Sequence, residues 1–318
     1  MRKPTVMAAV GLLLTAFVTQ IGAGPVSGHP HDDPVAVALL QVTRATAWEH
    51  AETIDLQFDA EHPQGMVKIG DRFFISSVEI IEAPVPCPTP CDGYDRTPGR
   101  GVGHVYVVDS SGALLADVVL GEGNMYHPGG IDYDGQWLWV PVAEYRPSTE
   151  LANSNAIIYR VRPSTLAVEE AFRVSDHIGG VVRDRVDGHV HGVSWGSRTM
   201  YEWTDRGRRL AREANESHFI DYQDCDYLAF RKMVCGGIAG LAAPDGTPFE
   251  LGGLALIDLR ESRILHEVPV VRYSPVTNHV VTRNPVFLER TDGGLRLFAA
   301  PDDDEDAAIL ILEAPLSG

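Results

Sequence analysis

Apolar residues in this chain come in short runs rich in Val, Ile, Leu, Tyr and Phe, broken by Gly, Asp, Asn or Pro, and no long stretch repeats with helical period. The clearest runs are paired across a turn. His62-Pro-Gln-Gly opens one run, Gly70-Asp71 interrupts it, and a second run leads to Glu79. His127-Pro-Gly-Gly, Asp134-Gly135 and Glu144 repeat the arrangement, again with 17 residues from His to Glu. Two β-forming runs about such a turn predict an antiparallel hairpin. Folded about Gly70 and Gly135, His62 falls beside Val78 and Glu79, and His127 beside Ala143 and Glu144.

Weaker copies follow. His177-Ile-Gly-Gly starts a third unit that turns at Val186-Asp187-Gly188 and returns to Trp195. Asp221-Tyr222-Gln223-Asp224-Cys225 starts a fourth, turning near Arg231. Thr282-Arg283-Asn284-Pro285 starts a fifth, turning at Asp292-Gly293-Gly294 and reaching Asp302, 18 residues after Asn284. Third strands follow each hairpin, as at Gly103 to Asp109 and Ala308 to Leu312, and fourth strands are legible from Leu114, Val168 and Ile264. Repeats of about 55 residues with four strands each predict an all-β fold, a five-bladed β-propeller, with six blades as the competing count. The last unit lacks an outer strand. The segment from Leu39 to Phe58, best at Thr53-Ile-Asp-Leu-Gln-Phe, can supply it and so close the ring.

The first residues read differently. Arg2 and Lys3 precede an apolar run from Val6 to Val18, which predicts a signal peptide over 1–23, with cleavage as late as Gly28 as the alternative. The remainder, 39–318, is then one secreted propeller domain without a membrane anchor, expected to act as a monomer. A mature chain cut after Gly28 would begin with His29, whose amine and imidazole together could hold copper, although Pro30 argues against it.

Secretion makes the four cysteines a disulfide question. Cys225 and Cys235 sit symmetrically about the turn near Phe230, and Cys87 and Cys91 flank Pro-Thr-Pro, so local pairs are expected. A zinc site is the alternative, but neither spacing is a usual zinc pattern.

The formal charge of −18 argues against nucleic acid and anionic membranes as partners and leaves a small molecule or glycan. It argues, more gently, against a strongly polyanionic substrate unless a local basic pocket overrules the average. The run Asp302 to Asp306 supplies part of it; Asp304 to Asp306 read as a solvated loop.

In a propeller, the start of each inner strand and the end of the next strand share one face. His62, His127, His177, Asn284, and Tyr222 or Gln223 would therefore ring the channel mouth, with Glu79, Glu144, Asp302 and Trp195 behind them. Two chemistries fit. His62, His127 and His177 could hold a divalent ion, or His127 with Glu144 could work as an acid/base pair, Asp302 and Glu79 being further catalytic carboxylates. Tyr126, Trp195, Tyr222, Gln223, Arg283 and Asn284 are the candidate substrate contacts. Against these stands the plainer role of such residues in binding channel water and capping backbone groups. No Gly-x-Ser-x-Gly elbow is present, which argues against a serine hydrolase of the common kind.

Met125-Tyr-His-Pro-Gly-Gly-Ile-Asp and His218-Phe-Ile-Asp-Tyr-Gln-Asp-Cys carry a resemblance. The chain resembles an uncharacterised family of secreted β-propellers of actinomycetes and fungi. Architecture alone is similar to five-bladed arabinanase-type glycosidases and to six-bladed lactonases. The first likeness implies carboxylates around a central pocket, parts that Glu79, Glu144 and Asp302 could take; the second implies a channel calcium, whose ligand pattern is not visible here. The expected function is a secreted enzyme acting on a carbohydrate or related polyhydroxylated substrate by hydrolysis or β-elimination. A non-catalytic binding propeller and a metal-dependent lactonase or esterase are the alternatives.

Overall fold

The computed structural model describes residues 33–316. The expected leader and His29 lie outside them. Among the described residues no helix is long and apolar enough to cross a membrane.

Five antiparallel sheets, each four strands deep with the inner strand of the second in two pieces, form the blades of a five-bladed propeller, which settles the count against six. Their inner strands are His62–Ile69, Met125–Pro128 continued by Asp132–Tyr133, Ile178–Arg183, Asp221–Leu228 and Val286–Thr291. The expected registers hold: His62 pairs with Val78, and His127 with Ala143. Glu49–Asp55 lies antiparallel to Ala308–Pro315 and becomes the outer strand of blade 5, closing the ring.

Period-two alternation explains the core. A strand buried on both faces sends successive side chains into the two neighbouring gaps. Phe73 packs with Phe298 and Ile309 between blades 5 and 1, whereas Phe74 packs with Leu138 and Val140 between blades 1 and 2. Val181 and Val182 divide in the same way between the gaps on either side of blade 3. Five apolar clusters thus fill the five gaps, and a second strand such as Leu138–Glu144 reads as a nearly continuous apolar run.

Where the blades converge the backbones touch. Gly130 N–H donates to the Gly179 carbonyl at 2.8 Å, and a Cβ on Gly129 would stand 2.3 Å from that oxygen. Hence the second unit carries Gly-Gly after its His-Pro, a Cβ on Gly130 being likewise crowded at 2.7 Å from Asp224. Asp224 crosses the axis from blade 4, accepting from the backbone N–H of Met66 in blade 1 (2.8 Å) and of Ile131 in blade 2 (3.0 Å). Asp132 accepts from Arg183 and Tyr227 N–H, tying blade 2 to blades 3 and 4. Asp226, paired with Val234 in the same blade, is also buried here.

Both local disulfides form, Cys87–Cys91 and Cys225–Cys235, so the zinc alternative for these cysteines falls. Cys225 and Cys235 face each other directly across their hairpin, in the apolar gap between blades 3 and 4. One element is new. Pro34–Leu39 is a helix capped by Asp33, whose Oδ1 accepts from Val35 N–H at 2.8 Å and whose Oδ2 accepts from Ala229 N–H at 2.9 Å. Ala36, Ala38 and Leu39 enter the gap between blades 4 and 5. Six residues are too few for a periodic signal, so the pattern does not predict the helix.

Candidate functional site

His62, His127 and His177 each stand where an inner strand begins, on three successive blades, and line one cavity of about 180 Å³ at the channel mouth. Trp195, Tyr222, Gln223, Tyr145 and Asp221 complete most of its wall. Tyr145 follows the second strand of blade 2, and Trp195 follows that of blade 3 in a 3-10 turn.

Aromatic contacts order the imidazoles. His127 stacks on Tyr145 with ring centroids 4.1 Å apart, and His177 meets Trp195 edge-on at 4.6 Å. The His127 and His177 centroids are 5.6 Å apart. Burial, reinforced by the neighbouring His177 and His62, holds His127 well below the ordinary imidazole range. Burial also takes His177 down to about 4, against the opposing pull of the Glu144 and Arg146 backbone and of Asp176. Both rings are therefore neutral at neutral pH. Nδ1 of His177 lies 2.6 Å from the Glu144 carbonyl oxygen, which can only accept, so the ring proton sits on Nδ1 and Nε2 carries a lone pair. Nδ1 of His127 is buried without a hydrogen-bond partner. Burial likewise raises the Tyr145 phenol, keeping it protonated.

His62 is different. Its Nδ1 is 2.8 Å from Asp303 Oδ1, and Asp303 also accepts from Arg283 (3.0 Å) and Asn284 (2.9 Å). Burial pushes the Asp303 carboxyl up, but the bond from His62 and the charges of His62 and Arg283 outweigh it and bring it to about 2. Arg283 and Asn284 thus reach the mouth through Asp303.

The carboxylates expected behind the ring are engaged elsewhere. Glu144 is buried, accepting from Arg146 at 2.5 Å and from Asn155 at 2.8 Å, and makes no hydrogen bond to His127. Arg146 lies over the Tyr94 ring at 3.3 Å, so Glu144 belongs to a packed brace. Asp302 is buried and accepts from Ser274 at 2.6 Å and from Thr277. Glu79 stands 3.9 Å from His104, whose ring is bonded to Asp117. Tyr126 is buried with its hydroxyl on the Pro98 carbonyl, and does not line the cavity. Of the lining residues Asp221 is the one carboxylate; burial raises its carboxyl although Arg198 lies 3.0 Å away.

Among the described residues, metal-compatible groups with donor atoms all within 4.8 Å are Asp187, His189, Glu202 and Asp59, Glu61, Asp304. The three channel histidines do not form such a group. Sequence reasoning missed Tyr145 and Asp303. Tyr145 had a usable signal, an aromatic residue directly after the expected Glu144. Asp303 had little, being one of five adjacent acids.

A wider cleft of about 850 Å³ adjoins the mouth and shares Ser194 and Trp195 with it. Arg198, Arg209 and Arg212 line it beside Tyr201 and Asp176. A chain with formal charge −18 therefore presents three guanidinium groups next to its channel mouth.

No curated protein sequence matches the chain. Solved structures resemble it in shape with little shared sequence. Hydrazine synthase of Kuenenia stuttgartiensis is 13% identical with a TM-score of 0.38, the match covering 78% of this chain and 58% of that one. The tail fibre of Staphylococcus aureus phage P68 is 7% identical with a TM-score of 0.46, covering 86% and 54%. A mannose phosphorylase from Leishmania mexicana is 12% identical with a TM-score of 0.44, covering 83% and 88%. The match thus spans less than two thirds of the first two chains. One family model matches residues 35–318, nearly the whole described chain.

Proposed function

The chain belongs to DUF6454, a family of unknown function, and for this member we propose a secreted enzyme that cleaves an acidic, polyhydroxylated chain by β-elimination at the channel mouth. The observation that carries the reading is a pair of buried neutral imidazoles, one with its tautomer fixed by a carbonyl, opening on an aromatic-walled cavity.

Elimination next to a carboxylate needs a base for the carbon-bound proton and an acid for the leaving oxygen. His177 Nε2 is the base: it holds a lone pair at neutral pH and cannot exchange roles with Nδ1. Its new N–H bond forms as the C–H pair shifts to make a C=C bond and the C–O bond breaks. Tyr145, kept protonated by burial, donates to the departing oxygen. His127 stacks on Tyr145 and orients it. Trp195 offers a sugar ring a flat face between cavity and cleft, and Arg198, Arg209 and Arg212 attract the acidic groups of the flanking units.

Hydrolysis by paired carboxylates is the weaker reading, because Asp221 stands alone among the cavity's lining residues. Secretion is supported by the two disulfides and by the leader-like sequence.

A panel of uronate-containing glycans, followed by the ultraviolet absorbance of a newly conjugated double bond, tests this. His177→Ala and Tyr145→Phe should each lower turnover at least 100-fold with the fold intact. Cleavage giving saturated products would replace elimination with hydrolysis. Retention of glycans without product would leave a binding propeller.

A further inference from the structure

On the face of the ring away from the mouth, the hairpin of blade 3 gathers Asp187, His189, His191 and Glu202. Asp187 sits in the turn between the first two strands, at the end of the inner strand Ile178–Arg183 opposite His177. Nδ1 of His189 is 2.6 Å from Glu202 Oε1 and 3.5 Å from Asp187 Oδ2, and one donor atom from each of the three lies within 4.8 Å of the others. His191 lies two residues after His189, in the strand Val190–Ser194, and pairs directly with Glu202 on the next strand, so those two side chains share a face. It is only 6% exposed, and its Nε2 is buried with no hydrogen-bond partner.

We propose that Asp187, His189 and Glu202 bind a divalent transition cation of the zinc class, with His191 as a further nitrogen ligand. Three observations support this beyond the clustering of acids. The imidazole of His189 among the donors, with His191 two residues on, favours zinc-like ions over calcium or magnesium, which take oxygen. Charge also calls for a cation: of the carboxylates Asp184, Asp187 and Glu202, the first two share one guanidinium, Arg231, whose Nη2 is 2.9 Å from Asp187 and whose Nε is 3.5 Å from Asp184, and the Glu202 carboxylate is bonded, among the described residues, only to the His189 ring. A doubly charged ion brings that group of charges to neutrality. Finally, His191 is buried with an unsatisfied ring nitrogen beside Glu202, at a cost that coordination would remove. All four ligands belong to blade 3, so the ion would pin its hairpin where Arg231 of blade 4 abuts it.

The test is calorimetric titration of zinc chloride into the chelator-treated full chain, with the fold of each variant checked by thermal melting. One equivalent should bind, at least tenfold more weakly in His189→Ala and Glu202→Gln and unchanged in His127→Ala. Cobalt(II) in place of zinc should give the visible bands of a four-coordinate site, altered in His191→Ala or, if that variant fails to fold, in His191→Gln. No binding, or binding undiminished in both His189→Ala and Glu202→Gln, would overturn the site and leave an ion-pair network completed by Arg231. Loss only in His127→Ala would move the ion to the channel mouth. An unchanged cobalt spectrum in both His191 variants would remove His191 from the ligand set.

Discussion

The imidazole of His177 and the main-chain carbonyl of Glu144 are joined by a 2.6 Å hydrogen bond that crosses from blade 3 to blade 2. The bond fixes a tautomer in the cavity, and it couples the ring's protonation to the packing of two blades. Its folded-state pKa, about 4, lies below the ordinary 6.5. The unfolded chain therefore binds the proton first as pH falls. Stability should be full above about pH 6.5 and should decline as pH drops toward 4, by roughly 3 kcal/mol for this group at most. His127 acts in the same direction. In urea denaturation across pH, His177→Gln should flatten this acid limb; an identical limb would assign the loss to other groups.

The axial carboxylates run the other way. Burial raises Asp132 to about 6, and raises Asp226 well above the usual carboxylate range with help from Asp224 and Asp132. Groups raised in this way contribute most at low pH, and the contribution is lost as pH climbs from about 3.8 through the folded value. Asp226→Asn removes a buried carboxyl whose ionisation is opposed by burial and by Asp224 and Asp132. It should stabilise the protein at pH 7 by roughly 1 kcal/mol and make little difference near pH 4. A lower melting temperature at pH 7 would contradict this.

Asp224 should behave oppositely to its neighbour. Its oxygens satisfy backbone donors of two other blades, and alanine would strand buried N–H groups of Met66 and Ile131. Each stranded donor costs about 1–3 kcal/mol, so Asp224→Ala should lose roughly 3 kcal/mol or more, and Asp224→Asn rather less. Chemical denaturation of the two variants beside the parent reads the difference.

The two disulfides should differ in effect. Replacing Cys225 and Cys235 with alanine removes a link in the core between blades and should cost about 2–3 kcal/mol. Cys87 and Cys91 belong to the short hairpin Pro86–Cys91 with Tyr94–Arg96, largely exposed, which can open without the ring. Their replacement should shift global melting far less, while speeding proteolysis of that loop.

Trp195 tests the reading of the mouth as a glycan site. Trp195→Ala should raise KM about tenfold, equivalent to roughly 1.4 kcal/mol, with a smaller change in kcat, since the indole holds substrate without exchanging protons. A selective fall in kcat would make it part of the acid/base machinery.

Much of this fold was legible in the sequence because it repeats. The His-to-Glu spacing located two hairpins and their registers, the missing outer strand of the last unit pointed to ring closure, and the cysteines mirrored each other about Phe230. The side chains at the site were harder. Spacing located Glu144 and Asp302 along the chain, but not the Arg146, Asn155, Ser274 and Thr277 that occupy them. Asp303 displaces Asp302 at the mouth because both lie in a loop beyond the strand Gly294–Ala299, where no pleat dictates direction. The axial acids had left a trace: Asp132 follows directly on Gly129-Gly130-Ile131, and Asp224 and Asp226 alternate with Cys225 and Tyr227 in one strand, a pattern that calls for buried partners.

Closing the ring with Glu49–Asp55 has a kinetic consequence. Glu49 pairs with Glu313, and Asp55 with Ala308, so the outermost strand must wait for more than 250 residues to follow it. Blades 1 to 4 are local hairpins and can fold in the order they emerge. The final clasp joins the most distant parts of the chain and bears the largest loop-closure entropy. Until it forms, Ala308–Pro315 presents an open edge able to recruit a second chain's strand. Refolding yield should therefore fall with protein concentration, and dimers formed by exchange of residues 49–55 are the expected by-product.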